Sequence, residues 1–169
     1  MVRPGIVLAR SGLHFAIKRL KTAEQEHASS PTAETEAKIV RSGCESLFWL
    51  FALSEDFEKL IDAKTGQNIF QWCSSQGENG KIMNALRLIR NRVTHSYEYY
   101  WKIWNFETLT WGTIARPKQQ ELSSKAGKYV PQQFLDYQAS VEGKNIIFPL
   151  ESVANAIESM YMKFNLVNW

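Results

Sequence analysis

The sequence has few of the residues that build covalent or metal-held frameworks. Its 169 residues include only two cysteines, Cys44 and Cys73, and only three histidines, His14, His27 and His95. Neither cysteine belongs to the short-spaced pairs that zinc sites use. We therefore expect no disulfide framework, no structural metal and no cofactor, and a reducing cytoplasm is the expected location.

Long apolar runs and a strong net charge are also absent. The apolar run at residues 47–53 is far short of the roughly 20 residues that span a bilayer, so no membrane partner is expected. Residues 1–12 lack the apolar core of a secretory signal. The net charge of +3 does not by itself indicate nucleic-acid binding, because a local basic patch matters more than the total.

The composition that remains is typical of a folded domain. Hydrophobic residues make up 44% and charged residues 22% of the chain, a globular balance that differs from that of disordered proteins. The length fits one domain, residues 1–169, with a core large enough to fold alone. No internal repeat or low-complexity tract interrupts it.

Apolar residues at helical spacing predict an all-α bundle. We predict helices over about residues 5–27, 32–53, 57–63, 68–75, 81–101 and 149–164, with breaks at residues 29–32, 54–56, 65–66 and 77–80. Residues 104–128 form an irregular, aromatic-rich connection with room for one short helix. Pro131 suits the first position of a further helix that ends before Gly143, and a small hairpin through residues 142–145 is the rival interpretation.

The helix predicted at residues 81–101 has the clearest two-faced pattern. The face predicted to meet the core consists of Ile82, Ala85, Leu86, Ile89, Val93 and Tyr100. The opposite face consists of Asn84, Arg87, Asn91, His95 and Glu98, with Leu88 among them, and Arg90 lies on the flank. A merely solvated face more often uses Lys and Glu, so this set indicates a functional site.

Four residues of this helix form a recognisable motif. Asn91 follows Arg90 directly, His95 lies five residues after Arg90, and Tyr97 lies two residues after His95. This pattern resembles the signature of HEPN domains, in which four to six residues separate an arginine from a histidine and a polar residue follows the arginine. The form with Tyr97 is similar to HEPN toxins that are paired with a nucleotidyltransferase antitoxin. The resemblance is specific over about 16 residues and only architectural elsewhere.

The resemblance implies a HEPN-like helical bundle that dimerises, so that two motif helices face each other across a cleft. Active HEPN members cut RNA without a metal and leave a cyclic phosphate. The chemistry is reasonable on its own terms, because the 2′-hydroxyl of RNA is a built-in nucleophile. Histidine, with an ordinary pKa of about 6.5, can accept or donate a proton at neutral pH. Arginine offers a permanent forked donor to a phosphate.

Each motif residue is assigned a role on this basis. His95 would transfer protons, Arg90 would stabilise the phosphate, and Asn91 would orient the phosphate or the imidazole. RNA contacts are predicted for Arg87, Arg92 and Lys81, although Arg92 lies towards the core side, where a structural role is the alternative. One chain supplies a single motif histidine, so a homodimer is expected to bring in the second, with Leu88 as an interface contact.

Two aromatic groups have open interpretations. Tyr97 is a candidate for modification, since the tyrosine of this motif receives AMP from the partner nucleotidyltransferase in the toxin branch. Packing at the core boundary is the equal alternative. The second group is an aromatic cluster that is followed by two basic residues. It could stack bases and track an RNA backbone, although core packing is favoured for the aromatic side chains. The group consists of Trp101, Trp104, Phe106, Trp111, Arg116 and Lys118. His14 and His27 are predicted to be surface residues.

Three classes of function follow. The first is a metal-independent endoribonuclease that acts as a homodimer, as a toxin or a defence effector. The second is a HEPN module that binds RNA or a nucleotide without cutting it. The third is a helical partner protein of a nucleotidyltransferase antitoxin.

Overall fold

The computed structural model describes residues 4–95, 102–123 and 127–164. Nearly all the secondary structure of these residues is helical, so the predicted all-α class is confirmed. Helices α1 (Pro4–Ser29) and α2 (Ala33–Thr65) pack against each other as a long hairpin, and α3 (Ile69–Ser75) and α4 (Gly77–His95) follow. None of the helices in these ranges combines the length and apolar character that crossing a bilayer requires.

Local side chains set the ends of α2 and α3. The Thr32 hydroxyl accepts a hydrogen bond from the Thr35 backbone N–H at 3.2 Å, which caps the start of α2 at the break predicted for residues 29–32. Gly66 ends α2 with φ 66°, a left-handed conformation that favours glycine. Asn68 caps α3 by accepting from the backbone N–H groups of Phe70 and Gln71.

The connection after α4 is more ordered than predicted. It contains a small antiparallel hairpin of β1 (Trp104–Asn105) and β2 (Thr110–Trp111), and then α5 (Gln119–Leu122). A 3₁₀ turn (Gly127–Tyr129) leads into α6 (Val130–Ser140), where Pro131 lies in the first turn as expected. Residues 142–145 form a turn that extends the hairpin edge through a bridge between Thr110 and Asn145. The last helix, α7, spans Ile147–Lys163.

Helix α4 lies at the centre of the bundle and contacts α2, α3, α6 and α7. The apolar face predicted for it is confirmed in its described part by the buried side chains of Ile82, Ala85, Leu86, Ile89 and Val93. The other side of α4 is more buried than predicted. Leu88 is 1% exposed and Asn84 is 5% exposed, because neighbouring helices pack around the helix instead of against one face.

Two predicted breaks are absent. Residues 54–56 do not interrupt α2: Ser54 is buried, and its hydroxyl donates to the Phe51 carbonyl within the helix at 3.0 Å instead of capping a new one. Residues 77–80 form the first turn of α4, in which Gly80 is buried against the backbone of Cys73. The predicted continuation of α4 over residues 96–101 lies outside the described residues.

Candidate functional site

The surroundings of α4 leave few of its polar side chains accessible. Arg87 and Arg90 are partly exposed, at 17% and 41% of their side chains, and Asn91 is exposed. Residues three and four apart are neighbours on a helix surface, so Arg87 lies beside both Arg90 and Asn91, whereas Arg90 and Asn91 are consecutive and point about 100° apart. The backbone of the helix continues through His95, one turn beyond Asn91. The structure therefore brings three of the predicted site residues together, whereas the side chain of His95 and all of Tyr97 lie outside the described part.

Arg90 lies between an acidic and an aromatic side chain of α2. Its Nη2 donates to Glu55 Oε1 at 3.3 Å, and its guanidinium lies over the Phe51 ring, 5.2 Å from the centroid. The Glu55 side chain is 62% exposed. An exposed ion pair of this kind is worth at most about 1 kcal/mol, so a phosphate can compete for the same arginine.

Arg87 has a matching but more enclosed environment one turn earlier. It pairs with Glu58 of α2 and lies over the Phe70 ring, 5.0 Å from the centroid. Burial, and then the nearby charge of Arg90, lower the pKa of Arg87 to about 10. Arg87 therefore remains charged at neutral pH, and the contact with Glu58 offsets much of that charge.

An aromatic stack supports Arg87 from the other side. The rings of Phe70 and Tyr129 are parallel within 8° with centroids 3.8 Å apart. The ammonium of Lys128 lies 4.9 Å from the Tyr129 centroid. This arrangement links α3 and the 3₁₀ turn to the arginine edge and holds Arg87 in place.

A groove of about 370 Å³ runs beside Arg90 between α2 and α4. Apolar side chains make most of its walls, and one end carries the Arg90–Glu55 pair. The lining residues are Cys44, Leu47, Phe48, Phe51, Ala52, Glu55, Arg90 and Val93. We call this space the Arg90 groove.

Arg92 has a structural environment. Its side chain is 3% exposed, and it donates to both carboxylate oxygens of Glu121, at 2.8 and 3.2 Å, and to the Ala115 carbonyl at 2.7 Å. Burial raises the pKa of Glu121, but hydrogen bonds from Arg92 and from the Lys118 backbone outweigh it, so the pKa lies below the usual value. A buried guanidinium with these partners offers RNA no accessible surface, so the predicted RNA contact is wrong for Arg92.

The structure does not bring Lys81 to Arg90: nine residues along a helix place it about 14 Å away and on the opposite side, where it is exposed and pairs with Glu78 at 3.9 Å. Its RNA contact stays a prediction. Two other predictions need correction. The burial of Leu88 within one chain makes it unsuitable as a dimer contact. His27 is buried: its Nδ1 lies 2.8 Å from the Thr35 hydroxyl, and its ring packs near Phe106.

The tryptophans of the connection belong to the core. Trp104 and Trp111 are both buried, with ring centroids 4.5 Å apart, and Trp111 donates to the Ile146 carbonyl at 2.9 Å. Their rings cannot stack on RNA bases, so the core interpretation is correct for both. Trp101 lies outside the described residues. Arg116 and Lys118 are exposed, and they lie in the connection after α4.

Sequence reasoning missed the acidic and aromatic partners of the arginines. Glu55 and Glu58 lie three residues apart on α2, and Arg87 and Arg90 lie three apart on α4, so the two pairs match when both helices are continuous. The predicted break at residues 54–56 concealed this match. Cys44 is half-buried and lines the Arg90 groove.

Known proteins offer no guide to the role of this site. No family model matches the chain, and no curated protein or solved structure is significantly similar to it. Within the described residues, no three His, Cys, Asp or Glu side chains are grouped so as to hold a metal ion. The function of this protein is therefore inferred from the motif and from the geometry around Arg90.

Proposed function

We propose that this protein is a metal-independent endoribonuclease of the HEPN type that acts as a homodimer. The observation that carries the proposal is that Arg87 lies beside both Arg90 and Asn91 on the accessible part of α4, whose backbone continues through His95 one turn beyond Asn91. These residues fall within the segment that resembles the HEPN signature. The cellular role we propose is that of a toxin or a defence effector.

The proposed reaction uses the RNA's own 2′-hydroxyl. His95 accepts the proton of that hydroxyl while its oxygen attacks the adjacent phosphorus. The bond from phosphorus to the 5′-oxygen breaks, and the partner subunit's His95 donates a proton to the leaving oxygen. The products are a 2′,3′-cyclic phosphate and a 5′-hydroxyl end. Arg90 stabilises the charge that develops on the phosphate, and Asn91 orients the phosphate or an imidazole.

The surroundings of Arg90 support a phosphate-binding role. Its partner Glu55 is largely exposed, so the carboxylate can swing away when a phosphate arrives. The Phe51 ring under the guanidinium keeps Arg90 in position during that exchange. Arg87 remains held by Glu58 and Phe70 beside it.

The decisive experiment is an RNA cleavage assay in the presence of a chelator. We expect the wild-type protein to cut single-stranded RNA and leave cyclic phosphate ends, and His95→Ala and Arg90→Ala each to reduce the rate at least about a hundredfold. Arg19→Ala is the matched control, since Arg19 of α1 forms a similarly exposed ion pair with Glu45 of α2. Expression of the wild type, but not of His95→Ala, should inhibit growth.

Other outcomes assign the protein to another class. Cleavage that requires an added divalent metal contradicts the proposed mechanism. Binding of RNA that weakens in Arg90→Ala and with rising salt, without any product, identifies a binding module. A neighbouring gene for a small nucleotidyltransferase, together with transfer of AMP to Tyr97, would favour the toxin role.

A further inference from the structure

We infer that the Arg90 groove is a subsite for one base of single-stranded RNA, and that Glu55 makes it prefer an amino-bearing base such as cytosine to uracil. The inference rests on the proposed function, since it takes RNA as the ligand. It goes beyond that function because it assigns base selectivity to α2, outside the motif.

The size and lining of the groove suit a flat aromatic ligand. A volume of about 370 Å³ is at the small end of ligand pockets, which argues for one nucleotide and against a helix or a strand of a partner. Phe48 lines the groove and is 64% exposed, so its ring is accessible to a base. Proteins that bind single-stranded nucleic acids stack bases on such rings.

The charged end of the groove determines the orientation of a bound nucleotide. Arg90 lies at one end and would take the phosphate, and the apolar walls at Phe48 and Ala52 would take the attached base. Glu55 pairs with Arg90 at 3.3 Å and lies three residues after Ala52 on the same surface of α2. When a phosphate replaces Glu55 at Arg90, the released carboxylate can turn along α2 towards the base at Ala52. Phosphate and base of one nucleotide can therefore be held together by neighbouring side chains of α2 and α4.

Glu55 gives the subsite its selectivity. An ionised carboxylate only accepts hydrogen bonds. The exocyclic amino group of cytosine donates to such an acceptor, whereas uracil has a carbonyl oxygen at the same place. Glu55 therefore favours cytosine over uracil, two bases of the same ring size.

The test measures binding of short cytidine and uridine homopolymers to the full-length His95→Ala protein, which under the proposed mechanism does not cut them. Fluorescence anisotropy of end-labelled RNA should show affinity for the cytidine polymer about tenfold higher. Glu55→Gln should reduce that preference to less than about twofold, because the Gln amide can both donate and accept.

Two further variants examine the groove itself, each with a control. Ala52→Leu fills the groove, and we expect it to weaken binding of both polymers about tenfold. Ala156→Leu, in a separate cleft between α3, α4 and α7, should not. Phe48→Ala should weaken binding about fivefold or more, whereas Phe148→Ala, an exposed phenylalanine of α7 outside the groove, should not. The high exposure of Phe48 makes its variant safe for folding.

The outcomes separate the inference from the function on which it rests. Binding that depends on Arg90 but shows no cytidine preference, or a preference that survives in Glu55→Gln, overturns the base subsite and leaves the proposed function standing. Unchanged binding in Ala52→Leu and Phe48→Ala overturns it in the same way. RNA binding that is absent, or that is insensitive to Arg90→Ala, overturns both.

Discussion

At the scale of single residues, Arg90 and Arg92 have opposite surroundings although they lie two positions apart on α4. Arg92 is buried against Glu121 and the Ala115 carbonyl, and Arg90 is partly exposed beside Glu55. We expect Arg92→Ala to lower the free energy of unfolding by about 2 kcal/mol, since it leaves charged and polar partners without donors. Arg90→Ala should change it by less than about 1 kcal/mol. Urea unfolding of both variants measures this difference, and an equal loss would contradict it.

The effect of Arg92 on stability should depend on pH. The pKa of Glu121 lies below its usual value in the folded protein. A carboxyl of this kind adds stability that is present above its unfolded pKa of 4.5 and is lost as the pH falls through the lower folded pKa. The difference in unfolding free energy between the wild type and Arg92→Ala should therefore be full at neutral pH and shrink in acid. A difference that stays constant in urea titrations down to acid pH would exclude this linkage.

The two cysteines should be chemically inert in the folded chain. Burial raises the pKa of Cys44 and of Cys73 from 9.0 to about 12, with the charge of Asp136 adding to the effect at Cys73. The reactive thiolate is then about a thousandfold scarcer at pH 8 than in an ordinary thiol. Mass spectrometry after iodoacetamide treatment should find both thiols unmodified under conditions that label them fully in urea. Rapid labelling of Cys44 in the folded protein would contradict this assignment.

At the scale of elements, the close contact between α3 and the first turn of α4 depends on Gly80. A Cβ atom at this position would lie 1.9 Å from the Cys73 carbonyl oxygen, a backbone atom that cannot rotate away. Gly80→Ala should therefore destabilise the fold by about 2 kcal/mol, which exceeds the roughly 1 kcal/mol that alanine gains in a helix. Gly5→Ala in α1 is the control, because no atom beyond the neighbouring backbone of its own helix lies within 4 Å of its Cβ position. Thermal unfolding that ranks the two variants equally would argue against the α3–α4 contact.

The helices that could be predicted are those whose signals are local. The Thr32 cap, the Gly66 stop, the Asn68 cap and the apolar face of α4 all depend on neighbours within a few residues. The continuity of α2 through Ser54 could not be predicted in this way. Burial of that hydroxyl against other helices decides between an internal hydrogen bond and a cap, and burial depends on distant parts of the chain.

The site was predictable only in part for the same reason. A helical wheel assumes one buried face. It correctly placed Asn91 on the face opposite the core and Arg90 on the flank, where Asn91 is exposed and Arg90 partly exposed. It failed at Leu88 and Asn84 because four helices surround α4. The acidic partners on α2 depend on how two helices align, and no local pattern contains that information.

At the scale of the whole molecule, the connection after α4 holds the helices of the bundle together, although its composition predicted only an irregular segment. Tyr137 of α6 donates to the Gly112 carbonyl, and Trp111 donates to the Ile146 carbonyl just before α7. Arg92 fastens the same connection to α4 through Ala115. The Trp-rich segment is therefore part of the core of the described structure, and the accessible chemistry lies on the α2–α4 side.

The proposed homodimer leads to a prediction about mixtures of subunits. If each cleft needs His95 from both subunits, one as proton acceptor and one as donor, a mixed dimer with one His95→Ala subunit is inactive. Refolding the wild type with a threefold excess of His95→Ala should then lower RNA cleavage per wild-type chain to about a quarter, because random pairing leaves only that share in wild-type dimers. A threefold excess of wild type labelled with a different tag controls for dilution and should leave the rate per chain unchanged. Cleavage per wild-type chain that stays constant in the variant mixture would mean that each chain acts alone, and the single motif histidine would then have to perform both proton transfers.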